Sequence, residues 1–138
     1  MSAITVKLPW PPSVNHYWRS LVIKGQVRVL LSSDGRKYQI NCLAAVLKEH
    51  GMLEPLRGRL KAEVHVYQPD HRRRDIDNLL KSVLDVLKYT RVIKDDSLID
   101  TLIITRDRLA IRPGGEVHVM VEELPETAML FVDDDRIE

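Results

Sequence analysis

The sequence predicts an α+β fold, a single domain in which a small mixed sheet carries two main helices. Short alternating segments read as strands, and two longer stretches carry helical apolar spacing. The strands fall in neighbouring pairs rather than one per helix, which argues against a doubly wound parallel sheet. A chain of 138 residues can build one substantial core but not two ordinary ones.

The first strand is "AITVKL", where Ile4, Val6 and Leu8 share one side and Thr5 and Lys7 the other. "PWPPS" stops it, because proline donates no ladder hydrogen bond. "LVIKGQVRVLL" reads as a hairpin turning at Lys24-Gly25, and "SSDG" breaks that pattern. Ile40, Leu43, Ala44, Val46 and Leu47 then form the apolar stripe of a helix over 36–50, with Gly51 as its stop. "LKAEVHVYQP" alternates again, with Leu60, Ala62, Val64 and Val66 facing one way. A second helix is expected to start near Asp75 to Asp77 and run to about Tyr89, burying Ile76, Leu80, Val83, Leu84 and Leu87. "DTLIITRDRLA" and "GEVHVMVEEL" close the domain as two strands in a hairpin or meander. The domain is expected to span residues 1–138, with 125–138 as an extension or tail ending in "DDDRIE".

Composition excludes several classes. Apolar residues at 44% and charged residues at 30% are globular rather than disordered or fibrous values. The net charge of +1 neither favours nor opposes a polyanionic partner, so only local clustering can speak to one. A lone Cys42 forms no intrachain disulfide, and the N-terminus lacks the apolar core of a signal peptide. No apolar run approaches the roughly 20 residues of a membrane-spanning helix. A soluble protein of the reducing cytoplasm, with no membrane partner, is expected.

The chemistry concentrates in "HRRRDIDNLLKSVLDVL", from His71 to Leu87. Crowded carboxylates repel one another and need positive compensation. Arg72, Arg73 and Arg74 precede Asp75 and Asp77, and Lys81 lies one helical turn after Asp77, with Asp85 one turn further. A second acidic pair, Asp95 and Asp96 in "KDDS", follows the helix, where a short connection could fold it back toward the helix start. Carboxylates converging from two segments make a hard, oxygen-rich site of the kind magnesium prefers, suited to phosphoryl transfer. The arginines would then hold phosphates through their two-pronged guanidinium groups. The spacing fits a second account equally well. Asp75, Asp77 and Asn78 are ordinary residues for a helix N-terminus, the arginines could simply pair with them, and Asp95-Asp96 could cap a turn.

Three ordered stretches, "LPWPPSVNHYW", "DHRRRDIDNLLKSVLDVL" and "VIKDDSLID", carry a resemblance. Together they resemble the RusA family of Holliday junction resolvases, often carried by prophages. The resemblance implies a RusA-like fold and a magnesium-dependent, structure-selective endonuclease, with manganese as a substitute ion, that cuts four-way DNA junctions as a homodimer in recombination and repair. It carries Asp75, Asp77 and Asp96 to the family's essential carboxylates and metal ligands, with Asp95 as a further metal candidate. Lys81 matches the catalytic lysine. Arg74 and Asn78 adjoin the acidic site, and Arg72, Arg73 and Asn15 join them as DNA-binding candidates. Leu98 departs from the pattern, standing where a glutamine is expected, and the chain runs on past the last strand.

A dimer has its own physical logic, since two strands cut at related points call for two sites related by a two-fold axis. Asn15, His16, Tyr17 and Trp18 could contact DNA by hydrogen bonding and stacking, whereas Trp10 reads as packing against the sheet edge. His65 and His118 lack partners at metal-ligand spacing and read as structural, while His71 is a candidate phosphate contact. Arg19, Lys24, Arg28, Arg36, Lys37, Arg57, Arg59 and Lys61 could line a phosphate-tracking surface, or be ordinary solvated surface. Two rival readings stand beside the resolvase: a flap or fork nuclease of the same chemistry, and a non-catalytic DNA-binding module.

Overall fold

A computed structural model describes residues 2–125; the expected extension from residue 126 onward lies outside the described residues. The central sheet has four strands in the order β1-β6-β4-β5, formed by β1 (Ala3–Pro9), β4 (Leu60–Tyr67), β5 (Ile99–Arg106) and β6 (Glu116–Glu123). β6 runs antiparallel to both β1 and β4, while β4 and β5 are parallel, so the sheet is mixed. Alternation fixes its buried face. Val6 and Leu8 of β1, all four predicted residues of β4, and Val117, Val119 and Val121 of β6 are buried in one cluster. Helices pack over that face, and Lys7, His65 and the side chains between the buried positions face outward.

Two connections depart from the sequence expectation. β5 and β6 do not form a hairpin, because β4 lies between them. The helix between β4 and β5 makes a crossover, the connection parallel neighbours require, and residues 107–115 then carry the chain past β5 to the other side of β4. The second departure is at "SSDG", which breaks the strand pattern as expected but already opens the helix, ahead of the expected start at Arg36. α2 spans Ser33–His50, with the Ser32 hydroxyl accepting the Gly35 N–H at 2.9 Å and Asp34 in the first turn.

α2 also buries a different stripe from the one expected. Gly35, Tyr38, Cys42 and Val46 face the core, while Ile40 and Leu47 are 59% and 41% exposed. Tyr38 can be buried because its hydroxyl donates to the Pro9 carbonyl at 2.8 Å, leaving no orphaned polar atom. Burial pushes the Cys42 thiol up to about 12. Gly51, at φ 72°, ends the helix as predicted, and its N–H returns to the Leu47 carbonyl at 2.8 Å.

α3 (Leu80–Tyr89) follows a 3₁₀ turn over Ile76–Leu79, so the helical segment starts and stops where the sequence places it. Leu79, Val83, Val86 and Leu87 are fully buried, and Ile76, Leu80 and Leu84 are half-buried. The predicted hairpin is present as β2 (Trp18–Ile23) and β3 (Gln26–Leu31). It turns through Lys24 and Gly25, at φ 51° and 78°, the backbone a two-residue hairpin turn of the primed kind requires. It forms a separate two-stranded sheet, and the short α1 (Val14–Tyr17) joins its base to the core. No helix among the described residues is long and apolar enough to cross a membrane.

Candidate active site

Two segments shape the site: the proline-rich loop after β1 and the arginine-rich loop before α3. Trp10 is held from both sides, by the Arg74 guanidinium 5.4 Å from its ring centre and by Gly115. A Cβ on Gly115 would stand 2.7 Å from Trp10 Cε3, so only glycine lets the ring lie there. Trp10 therefore packs as the sequence suggested.

The arginine loop is braced from within. Asp70 accepts Arg74 Nη1 at 2.8 Å and the Arg72 N–H at 2.8 Å, which together lower its carboxyl to about 2, the Arg74 bond contributing most. Buried Gln68 donates to the carbonyls of Asp70 and Arg72, each at 3.2 Å, and accepts from Arg106 at 3.1 Å. Arg106 also donates to the Arg74 carbonyl, tying the loop to the end of β5. The three arginines thus separate. Arg74 is engaged by Asp70 and Trp10, and Arg72 keeps a longer 3.7 Å contact with Asp70. Arg73 is exposed and makes no ion pair among the described residues.

Between the two loops lies an open cleft of about 590 Å³, with Arg73, Arg74, Asp75 and Asn78 on one wall and Pro11, Pro12, Ser13 and His16 on the other. Its size falls in the range of small-ligand sites. Asp75 occupies the N-cap position of the 3₁₀ turn, at φ −84° and ψ 131°, but its side chain makes no capping hydrogen bond. Asp77, on the first turn, is exposed, and neither carboxylate has an ion-pair partner among the described residues. Capping and charge pairing therefore do not account for the Asp75-Asp77 pair.

The later pair behaves differently. Asp95 accepts the Ser97 N–H at 3.0 Å and pairs with Lys88 Nζ at 2.9 Å. Those two partners hold its carboxyl well below the usual carboxylate range, and Lys88 is raised in return. Asp95 is thereby drawn to the last turn of α3 rather than folded back to its start. Asp96 is exposed beside it, without a hydrogen bond or ion pair among the described residues.

A second cleft, lined by Val14, Asn15, Trp18, Arg19, Ser20, Val29 and Lys81, opens on the other side of α1. Lys81 Nζ lies 5.8 Å from the Trp18 ring centre, a cation–π approach. Asn15 is exposed and shares that cleft. Tyr17 is a correction: it is fully buried and cannot touch DNA. Its hydroxyl instead donates to Asp85, which also receives Gln39 Nε2 at 3.1 Å. The sequence marked Asp85 by its spacing from Lys81, but nothing local announced Tyr17 or Gln39 as its partners. Arg59 is likewise engaged, by a two-pronged pair with Asp100.

The donor chemistry suits a hard divalent cation, since Asp75, Asp77 and Asp96 present carboxylate oxygens that no cation of the described residues occupies. The fold of this single chain does not gather them completely: among the described residues no three His, Cys, Asp or Glu side chains stand close enough to ligate one ion.

The family model described as Endodeoxyribonuclease RusA matches residues 9–122, a range that embraces both clefts and both acidic turns. This chain belongs to the RusA family. Among its relatives, the crossover junction endodeoxyribonuclease rusA of Enterobacteria phage HK97 is 33% identical over 117 residues, covering 85% of this chain and 92% of the relative. The crossover junction endodeoxyribonuclease RusA of Escherichia coli (strain K12) is 30% identical over 125 residues, covering 90% and 98%. A RusA of the same description from Shigella sonnei is 29% identical over the same span. The family resemblance read from the three sequence stretches is thus borne out, together with the mixed α+β fold.

Proposed function

We propose that this chain resolves four-way DNA junctions by phosphodiester hydrolysis, as a magnesium-dependent homodimer serving recombination and repair in the cytoplasm, with manganese able to replace magnesium. The whole chain is taken as one RusA-like nuclease domain. The observation that carries the reading is the Asp75 carboxylate, uncapped and unpaired among the described residues on the wall of an open cleft beside Arg73 and Asn78, in a chain whose relatives are named crossover junction endodeoxyribonucleases.

Asp75, Asp77 and Asp96 would hold the cation once their oxygens are drawn closer together than in this single chain, and Asp95, already engaged by Lys88, is the weakest donor of the four. A divalent cation there would supply a more acidic water and neutralise charge building on the phosphate. Arg73 reaches the cleft with its full set of donors and pairs with phosphate oxygens, while Arg72 and Arg74 add charge at its edge. Asn78 and Asn15 offer neutral donors on either side of α1. Lys81, on the other side of α1, would add a point charge against the negative charge developing on the phosphate. Two copies related by a two-fold axis present two such sites to the paired strands of a junction.

The test is Asp75→Asn, which keeps shape and removes charge. The variant is expected to bind a synthetic four-way junction at least as tightly as the parent and to release no product when magnesium is added. Normal cleavage by the variant overturns the assignment. Comparing four-way, three-way and linear substrates separates a resolvase from a flap or fork nuclease, and a mobility shift without product at any magnesium concentration identifies a pure binding module.

A further inference from the structure

Among the described residues the β2–β3 hairpin has no neighbour in the main sheet, and its two faces differ. Its register pairs Trp18 with Leu31, Ser20 with Val29, and Val22 with Val27 on one face. At the base of that face Trp18 and Leu31 pack on the core. Toward the tip none of the described residues covers it, and Val22, Val27 and Val29 are 72%, 70% and 61% exposed. β-branched side chains left open on a two-stranded arm gain nothing from solvent and mark a contact surface. The same face supplies Trp18, Ser20 and Val29 to the wall of the cleft that holds Lys81, so the apolar stripe runs outward from the proposed catalytic lysine.

Charge says what covers it. From Trp18 to Leu31 the arm carries Arg19, Lys24 and Arg28 and no acidic residue. Arg19 and Arg28 lie on the opposite face and Lys24 at the turn. An arm with three cations and no carboxylate is complementary to a polyanion. In linear duplex the flat apolar surfaces of base pairs are hidden by stacking. Where strands exchange, the terminal pairs of each arm can be uncovered, and apolar side chains are known to wedge against such surfaces while cations hold the adjoining phosphates.

We propose that the β2–β3 hairpin reads the branch point: Val22, Val27 and Val29 pack on base-pair faces uncovered at the crossover of a four-way junction, and Arg19, Lys24 and Arg28 hold the flanking phosphates. This inference rests on the junction reading above and assigns its structure selectivity to one element outside the acidic site.

The experiment measures binding without metal, in EDTA, so it does not depend on cleavage. The probes are a four-way junction carrying 2-aminopurine at the branch point and a linear duplex of matching sequence. The full chain is expected to raise the branch-point fluorescence. The double variant Val22→Ser/Val27→Ser is expected to lose that rise and to bind the junction about tenfold more weakly, with duplex affinity unchanged. Val22→Leu/Val27→Leu is expected to keep both signals. Because serine weakens a strand, Arg28→Gln serves as the second variant and is expected to weaken junction binding and flatten its salt dependence. Unchanged junction binding and fluorescence in the serine variant overturn the proposal. So does a fall in its solution mass, which would assign the face to a second copy, and so does an unaltered Arg28→Gln if the serine variant does not fold. Failure of the nuclease reading has a separate signature, an uncut junction when the parent chain is given magnesium.

Discussion

The Tyr17 hydroxyl donates to the Asp85 carboxylate, joining the end of α1 to the middle of α3 across 68 positions of chain. Gln39 of α2 donates to both groups at 3.1 Å, so one carboxylate ties three helices together. Burial, and then the Asp85 acceptor, raise the phenol above its usual range. The knot sets the position of α1, and with it Asn15 and Trp18, against Lys81, one turn before Asp85 on the same helix face.

Tyr17→Phe keeps the ring, its edge contact with Trp18 at 4.9 Å and its contact with Tyr38 at 6.5 Å, and removes only the donor. A hydrogen bond to a charged acceptor is lost and a partly buried carboxylate is left with one partner fewer, so the variant should lose about 1–3 kcal/mol. Urea denaturation checks this as a lower midpoint with an unchanged slope. An unchanged midpoint would mean that Gln39 alone satisfies Asp85.

Gly35 is a glycine for reasons of space. A Cβ there would stand 2.5 Å from the Tyr17 carbonyl oxygen and 2.8 Å from Leu31 Cδ1. Alanine is the better helix former by ~1 kcal/mol, yet Gly35→Ala should destabilise by about 1–3 kcal/mol, because α2 must pull away from α1 to admit it. Thermal melting decides the sign, and a raised melting temperature would show that α2 shifts freely.

Acid should loosen the arginine loop first. The Asp70 carboxyl is lowered from 3.8 to about 2, chiefly by its hydrogen bond from Arg74. A depressed carboxyl stabilises the fold fully above its ordinary value, and that contribution is lost as pH falls from about 3.8 toward 2. Melting temperature measured across this window should fall less steeply for Asp70→Asn than for the parent chain, with the two curves parallel at neutral pH. Equal slopes in acid would show that the Arg74 pairing does not persist in solution.

The sequence made the strands legible wherever one face meets the core and the other meets water, as in β1 and β4, because period-two alternation records that difference directly. The turn at Lys24-Gly25 was legible for a similar reason: its backbone demands a particular residue type. Partner choice was not. β5 and β6 each look like half of a hairpin, and only the crossover through α3 decides that β4 separates them. The buried side of α2 was misread because Ile40 and Leu47 are the more apolar residues, while Tyr38 and Cys42 win burial through a hydrogen bond to Pro9 and close packing that no periodicity encodes. Spacing marked Asp75, Asp77 and Lys81 as candidates but could not tell an uncapped Asp75 from a capping one, nor foresee that Lys88 would engage Asp95 and leave Asp96 open.

Lys81 separates catalysis from structure most cleanly. It is exposed, forms no ion pair among the described residues, and its charged end meets the protein through the Trp18 ring 5.8 Å away. A cation–π contact at such a position is worth about 0.5–1 kcal/mol, so Lys81→Ala should lower stability by no more than that. The cost to the reaction is of another order. Removing a group that stabilises developing charge typically lowers the rate by about 10²–10³-fold. Junction affinity should change little, since one phosphate contact among many is lost. The two effects are read together, by single-turnover cleavage of a labelled junction and by thermal melting of the same preparation. A large drop in melting temperature with near-normal cleavage would make Lys81 a structural partner of Trp18. A large loss of cleavage in a stable variant that still binds DNA would assign it to the chemistry.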